Sequence, residues 1–202
     1  MPDEMMKKKW VGNTIHIQYI GQDDLENICT MLEKESVCRY LLFGPNSHEV
    51  TRAYFKPLIE SVSKELSEHK RPTSPVFTIR SKDTGEFAGQ CGLLPVEFCP
   101  GAYLIGYQID DEWMGRGFGT EACEFLIYYA FTKTDAYRLN GDTASENVAS
   151  MKIMEKCGFT IEGRRLKYWY ARGRYYDQVL YGLLKEKVIE KDLEELKRKW
   201  ES

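Results

Sequence analysis

The sequence predicts an α/β (α+β) chain: a mixed, mostly antiparallel seven-stranded sheet flanked by helices, with an extra helix at the C-terminal end. Three observations carry that expectation. Segments with two-residue and with helical periodicity follow in the order strand, two helices, three strands, helix, strand, helix, two strands. Short turns join the three consecutive strands, which makes them an antiparallel meander. A glycine-alternating turn, Trp113-Met114-Gly115-Arg116-Gly117-Phe118-Gly119-Thr120, stands between the last of those strands and an apolar helix. No repeat or linker divides the 202 residues, so one domain over 1–202 is expected, with its core at about 13–185.

Met1 to Lys9 is charged, poorly patterned and expected to be mobile. Thr14 to Tyr19 alternates as a first strand, and Gly21-Gln22-Asp23-Asp24 offers a capped entry to a helix with Leu25, Ile28, Cys29 and Leu32 on one face. Leu41 to Asn46 holds a Gly-Pro turn. A second helix is expected from about Ser47 to Glu68, kinked or broken at Pro57, which lacks an amide hydrogen and crowds the preceding turn. Val76 to Arg80 and Phe87 to Val96 pair through the turn Lys82-Asp83-Thr84-Gly85, and Ala102 to Ile109 completes the meander. After the glycine turn, Ala122, Phe125, Leu126, Tyr129 and Ala130 make one apolar helix face. Tyr137 to Thr143 is the next strand. Asn147 caps a short helix to Lys156 that Gly158 stops, and Phe159 to Tyr170 with Tyr176 to Leu184 close the sheet as a hairpin around Arg172-Gly173. In the tail, Ile189, Leu193, Leu196 and Trp200 form an apolar stripe among charges (helix about 186–200), to be covered by its own domain or a second subunit. Monomer and homodimer both stay open.

Composition removes several function classes. The net charge of −3 gives no electrostatic reason to expect nucleic acid and mildly favours a cationic substrate. No apolar run approaches the roughly 20 residues of a membrane span, and the lysine-rich start lacks the apolar stretch of a signal peptide, so no membrane partner and a cytoplasmic location are expected. Cys29, Cys38, Cys91, Cys99, Cys123 and Cys157 have no paired short spacings; free buried thiols are expected, with no metal site. His16, His48 and His69 lie far in sequence from the glycine turn and read as surface histidines.

The turn itself invites an anion. Gly115, Gly117 and Gly119 free the backbone and let a ligand approach without a Cβ in the way, while the first amides of the following helix lack intrahelical partners and sit at the positive end of its dipole. A pyrophosphate suits such a cradle; a bare strand-to-helix turn is the alternative. A dinucleotide fingerprint fails at Thr120, and no Gly-Lys-Ser/Thr completes a Walker loop.

The run from Met114 to Gly119 resembles the pyrophosphate loop of the GCN5-related N-acetyltransferases (GNAT), written Gln/Arg-x-x-Gly-x-Gly/Ala, with Gly117 and Gly119 matching and Met114 departing. The longer run Gly-Arg-Gly-Phe-Gly-Thr-Glu-Ala resembles the branch that acetylates ribosomal-protein N-termini. A second constellation, Asn147-Val148-Ala149-Ser150, then Lys156-Cys157-Gly158-Phe159 and Glu162-Gly163, is similar to the family's helix beside the pantetheine arm. The resemblance covers roughly 13–185 and implies the GNAT fold.

It also implies acetyl-CoA as cosubstrate, direct transfer in a ternary complex and a primary amine as acceptor: a protein N-terminal α-amine, or alternatively a polyamine or aminoglycoside. A non-catalytic acyl-CoA-binding module is the alternative of a different class. Acetyl-CoA would wedge between Ala102 to Ile109 and Tyr137 to Thr143, with Gln108, Ile109, Met114, Gly115, Arg116, Gly117, Phe118, Gly119, Thr120, Asn147 and Ser150 as its binding residues. Backbone groups of Gln108 and Ile109 would pair with the pantetheine, and the amide of Ile109 or Asp110 would face the oxyanion. Met154 stands where many relatives place a tyrosine acid, which leaves Ser150 to handle the thiolate. Glu97, at a strand end, is the candidate base, with Asp110 and Asp142 as alternatives acting through a water. Phe43, Tyr54 and Phe55 are candidates for the acceptor wall, with core packing as the other reading.

Overall fold

The computed structural model describes residues 9–188 and 190–201. Strands β1 (Lys9–Val11) and β2 (Ile15–Tyr19) precede three helices, α1 (Leu25–Leu32), α2 (Glu35–Cys38) and α3 (His48–Ser67). The meander β3 (Val76–Ser81), β4 (Phe87–Pro95) and β5 (Ala102–Ile109) leads through the glycine turn into α4 (Phe118–Lys133). Then come β6 (Arg138–Ala144), α5 (Val148–Lys156), β7 (Thr160–Ala171), β8 (Arg174–Leu184) and α6 (Glu190–Glu201). The strands form one sheet in the order β1-β2-β3-β4-β5-β6-β8-β7, antiparallel throughout except where β5 meets β6.

The sheet has eight strands where the sequence predicts seven. The added one, β1, is three residues long with Trp10 alone turned inward, too short for alternation to reveal. It takes Lys9 out of the segment expected to be mobile, the rest of which lies outside the described residues. The four-residue α2 is likewise unpredicted.

Two cores lie on opposite faces of the sheet. One is built around α4 with Ile15, Ile17, Phe77, Leu93, Ile105 and Leu139 beneath it; the other packs α1 and α3 over Val76. The helix α3 runs without a break through Pro57, because Pro57 and Ala53 are both exposed and water can satisfy the carbonyl that the missing amide leaves free. Its N-cap is Ser47, whose hydroxyl accepts from the Val50 amide at 3.3 Å.

The single apolar face expected of α4 is too narrow a description: 12 of its 16 residues are buried. Its second flank is covered by α6. Trp200 is fully buried edge-on to Phe125, with ring centroids 5.1 Å apart, and Leu193 and Leu196 pack on the same core. Losing a buried side chain of that size costs about 3–5 kcal/mol. Lys199 pairs with Glu121 at 3.0 Å and Glu124 at 2.8 Å, and Lys133 with Glu201 at 2.8 Å. The tail stripe is therefore covered by its own domain; Ile189 lies outside the described residues. Glu121 also accepts from the Thr14 hydroxyl at 2.6 Å and from the Asn13 amide; burial pushes its carboxyl up, but these bonds outweigh burial and hold it below the usual range.

Two further expectations need correction. His16 is buried in β2, 8% exposed, and burial, then Lys9 and Arg80, lower its pKa. All six cysteines are free, but Cys99 is exposed rather than buried.

Candidate active site

The site begins where the sheet comes apart. Strand β5 pairs with β6 only at Ala102–Arg138, Tyr103–Leu139 and Leu104–Asn140. From Ile105 onward β5 stays with β4 while β6 stays with β8, so a wedge opens between them. The amide of Asp110 donates to the Ala88 carbonyl at 2.9 Å. By the alternation of an antiparallel ladder, Gln108 also turns its backbone groups to β4, and those of Tyr107 and Ile109 face the wedge. Of the two amides expected to face the oxyanion, that of Asp110 is already bonded to Ala88, and that of Ile109 remains the candidate.

At the mouth of the wedge, Gly115 (φ 76°) and Gly117 (φ 84°) adopt the left-handed conformation that glycine takes at little cost, and a Cβ at either would meet nothing within 4 Å. The first intrahelical bond of α4 runs from the Glu121 amide to the Gly117 carbonyl at 3.1 Å, so Phe118, Gly119 and Thr120 present the helix's leading amides. Space without side chains, amides and dipole fit a pyrophosphate. Trp113 stacks on Phe118 at 5.3 Å and Arg116 lies over the Trp113 ring at 4.8 Å, which props the turn, while Met114 is half-exposed. Gly119 serves a different end: a Cβ there would fall 2.9 Å from Ile153, so this glycine lets α5 approach α4.

A cavity of about 420 Å³ follows the wedge into the sheet. On the α4 face, Tyr107 from β5 reaches Ser150 in the first turn of α5, hydroxyl to hydroxyl, at 3.1 Å. Asn147 caps that helix by accepting from the Ser150 amide at 3.2 Å. Burial pushes the Tyr107 phenol up, with Cys123 adding to the shift and Ser150 opposing it, so the ring stays protonated and can donate. Met154 is packed against Gly141, where a Cβ would come within 2.7 Å of its methyl group.

On the opposite face lies Asp142. Residues Leu139 and Gly141 turn toward α4 and α5, so Asp142, by alternation, turns toward α3. Arg165 donates to the Gln178 side-chain oxygen at 3.3 Å and Gln178 donates to Asp142 Oδ2 at 2.5 Å. Burial raises the Asp142 pKa more than Gln178 and Arg165 lower it. A carboxylate whose pKa is raised is a stronger base than an ordinary surface carboxylate and is a candidate proton acceptor.

The other candidate carboxylates are elsewhere. Glu97 sits exposed on the turn joining β4 to β5, at the end where β5 and β6 are still paired, and does not line the cavity. Asp110 is held through both oxygens by Lys34, at 3.0 and 2.9 Å, and is likewise not a lining residue. Asp111 joins this clamp, held down at about 2 by the Ser36 hydroxyl and then Lys34. The aromatic residues Phe43, Tyr54 and Phe55 all reach the cavity.

Tyr107 is the residue that sequence reading misses. In the sequence it is one aromatic among several in a strand; only the wedge brings it to Ser150. No group of three or more His, Cys, Asp or Glu among the described residues is placed to hold a metal, and no helix among them is long and apolar enough to cross a membrane.

A parted pair of parallel strands with a glycine cradle at its mouth is accompanied by direct similarity to known proteins. The acetyltransferase (GNAT) domain family matches residues 15–160. The chain belongs to the GNAT N-acetyltransferase family. An uncharacterized N-acetyltransferase, p20, of Bacillus licheniformis is 28% identical over 163 residues, covering 81% of this chain and 88% of that protein. Among solved structures, spermidine N-acetyltransferase from Vibrio cholerae in complex with CoA and spermine superposes with a TM-score of 0.71 at 20% identity, covering 86% of this chain and 97% of that one. An acetyltransferase from Salmonella typhimurium that modifies the N-terminal serine of ribosomal protein L7/L12 gives 0.71 at 20% identity, covering 85% and 95%.

Proposed function

We propose that this chain transfers the acetyl group of acetyl-CoA to a primary amine, and that the amine is a protein N-terminal α-amine. The transfer reading is carried by the wedge between β5 and β6, which has an anion cradle and a hydroxyl pair on one face of the sheet and a carboxylate of raised pKa on the other. When bound, acetyl-CoA supplies the acetyl group as a thioester. The amides of Phe118, Gly119 and Thr120 hold its pyrophosphate, and Ile109, Asn147 and Ser150 flank the arm.

Asp142 takes the proton from the acceptor ammonium, directly or through a water. The Ile109 amide faces the carbonyl oxygen and stabilises charge that develops there. Tyr107 donates to Ser150 Oγ, which leaves the serine's own hydrogen free to point at the sulfur as negative charge grows. Tyr107 is thus a positioning residue and Ser150 a catalytic one. The α-amine reading is supported by the likeness of the run from Gly115 to Ala122 to the ribosomal-protein branch; the spermidine enzymes among the structural neighbours motivate a polyamine as the second reading. Thiol release from acetyl-CoA in the presence of peptide α-amines, polyamines and aminoglycosides tests the transfer. Release with at least one amine is expected; binding of acetyl-CoA with no release from any of them would leave the non-catalytic module.

A further inference from the structure

The cavity also bears on which amines can enter. Among the described residues that line it, Asp142 is the single one with a formal charge. Its floor is made by residues opposite one another on β4 and β5, Gln90–Gln108, Gly92–Gly106 and Leu94–Leu104. A Cβ on Gly106 would meet nothing within 4 Å, so the floor is hollow there. Gly106 lies two residues beyond the Leu104–Asn140 pair, level with Asp142 across the wedge. The roof is apolar and aromatic, with Leu42, Phe43, Tyr54 and Trp169.

Gln90 is the anomaly in this floor. It is 95% buried, being 5% exposed, and no described residue donates to its Oε1. The residue directly across the ladder from it, Thr78, donates its hydroxyl to Asp24 at 3.4 Å. A buried carbonyl oxygen without a partner is costly, and the last side-chain torsion of glutamine is broad and roughly two-fold, so the amide can turn its oxygen into the cavity at small expense.

Resting on the acetyl transfer proposed above, we propose that the acceptor carries a single positive charge beside an apolar group, as at the start of a peptide whose first side chain is apolar, and that Gln90 accepts from the N–H next to the amine. Asp142 neutralises the one ammonium, the hollow at Gly106 admits the chain, and the aromatic roof covers the first side chain. A polyamine has further ammonium groups for which this cavity offers no second carboxylate, and an unpaired charge among apolar walls is strongly disfavoured.

The test measures kcat/KM with acetyl-CoA for short peptide amides beginning with Leu, Phe or Asp and for spermidine, in the full chain and in Gln90→Leu and Gln90→Glu. The Leu and Phe peptides should exceed both others by tenfold or more. Gln90→Leu should lower the peptide values on the order of 10-fold while the rise in Tm with acetyl-CoA is unchanged, and Gln90→Glu should shift preference toward spermidine. Spermidine exceeding the peptides in the unmodified chain would overturn the inference and leave acetyl transfer standing, as would peptide rates indifferent to Gln90→Leu. Acetyl-CoA binding without transfer to any amine would instead overturn the transfer reading, and this inference with it.

Discussion

The glycine turn and the cavity proposed to take the acceptor meet at one wedge, yet they are built in opposite ways. The cradle is backbone: two left-handed glycines and the leading amides of α4, contributed by consecutive residues. The cavity is side chain: Gln90 from β4, Tyr107 from β5, Asp142 from β6, Ser150 from α5, Tyr54 from α3 and Trp169 from β7. A backbone site depends on a local conformation and tolerates few changes within it, whereas a side-chain site can be altered one residue at a time while the fold persists. Substitutions should therefore abolish function at the cradle and grade it in the cavity.

The largest effect is expected from Gly117→Asp. It forces a side chain into a φ of 84° and sets a carboxylate against the pyrophosphate. Acetyl-CoA raises the Tm of the unmodified chain by linkage, and the variant should lose both that rise and measurable transfer. Retention of the full rise would mean that the turn holds no phosphate.

Next comes Asp142→Asn, expected to lower kcat by about 10²-fold. The carboxyl's folded pKa is raised, so its stabilising contribution is complete below the unfolded carboxylate pKa of about 3.9 and is lost as pH rises through the folded value. At neutral pH the asparagine variant should melt higher than the unmodified chain, and the gap should close in acid. The acid limb of the kcat profile should vanish with the carboxylate. An unchanged limb would assign the base elsewhere.

Smaller losses separate Ser150 from Tyr107. Ser150→Ala should cost on the order of 10-fold or more in single-turnover transfer, and Tyr107→Phe somewhat less. The double variant should be no slower than Ser150→Ala, because the phenol acts through the serine; additive losses would give Tyr107 a direct role. The smallest effect is expected at Glu97, exposed and away from the cavity: Glu97→Gln should stay within about twofold in kcat/KM, a few tenths of a kcal/mol. A loss of tenfold or more would show that the base is on that turn.

The same contrast explains what could be read in advance. The strands and helices other than β1 and α2, the Asn147 cap, the Arg172-Gly173 hairpin and the left-handed glycine turn are encoded in short windows, and each is found where periodicity and turn chemistry predict it. Site features that depend on strand register were not legible. Tyr107 meets Ser150 across 43 positions of sequence. Asp142 and Glu97 are both carboxylates near strand ends in sequence, and only the parting of β5 from β6 decides which one faces the cavity. The burial of α4 is hidden for a related reason: α4 has a second covered flank because α6 returns to it over more than seventy positions, a contact that helical periodicity within α4 cannot signal.

The parting of β5 and β6 has a kinetic consequence. A sheet normally walls one side of a protein off from the other, but here an opening connects them, with Tyr107 and Ser150 lining it from one side and Gln90 and Asp142 from the other. On the function proposed above, donor and acceptor enter through separate approaches, so neither has to wait for the other to leave. Free CoA should then compete with acetyl-CoA while failing to compete with the amine, and plots of reciprocal rate at several fixed amine concentrations should intersect. Parallel lines would mean that the acetyl group passes first to a nucleophile of the enzyme and that CoA leaves before the amine binds, in place of direct transfer.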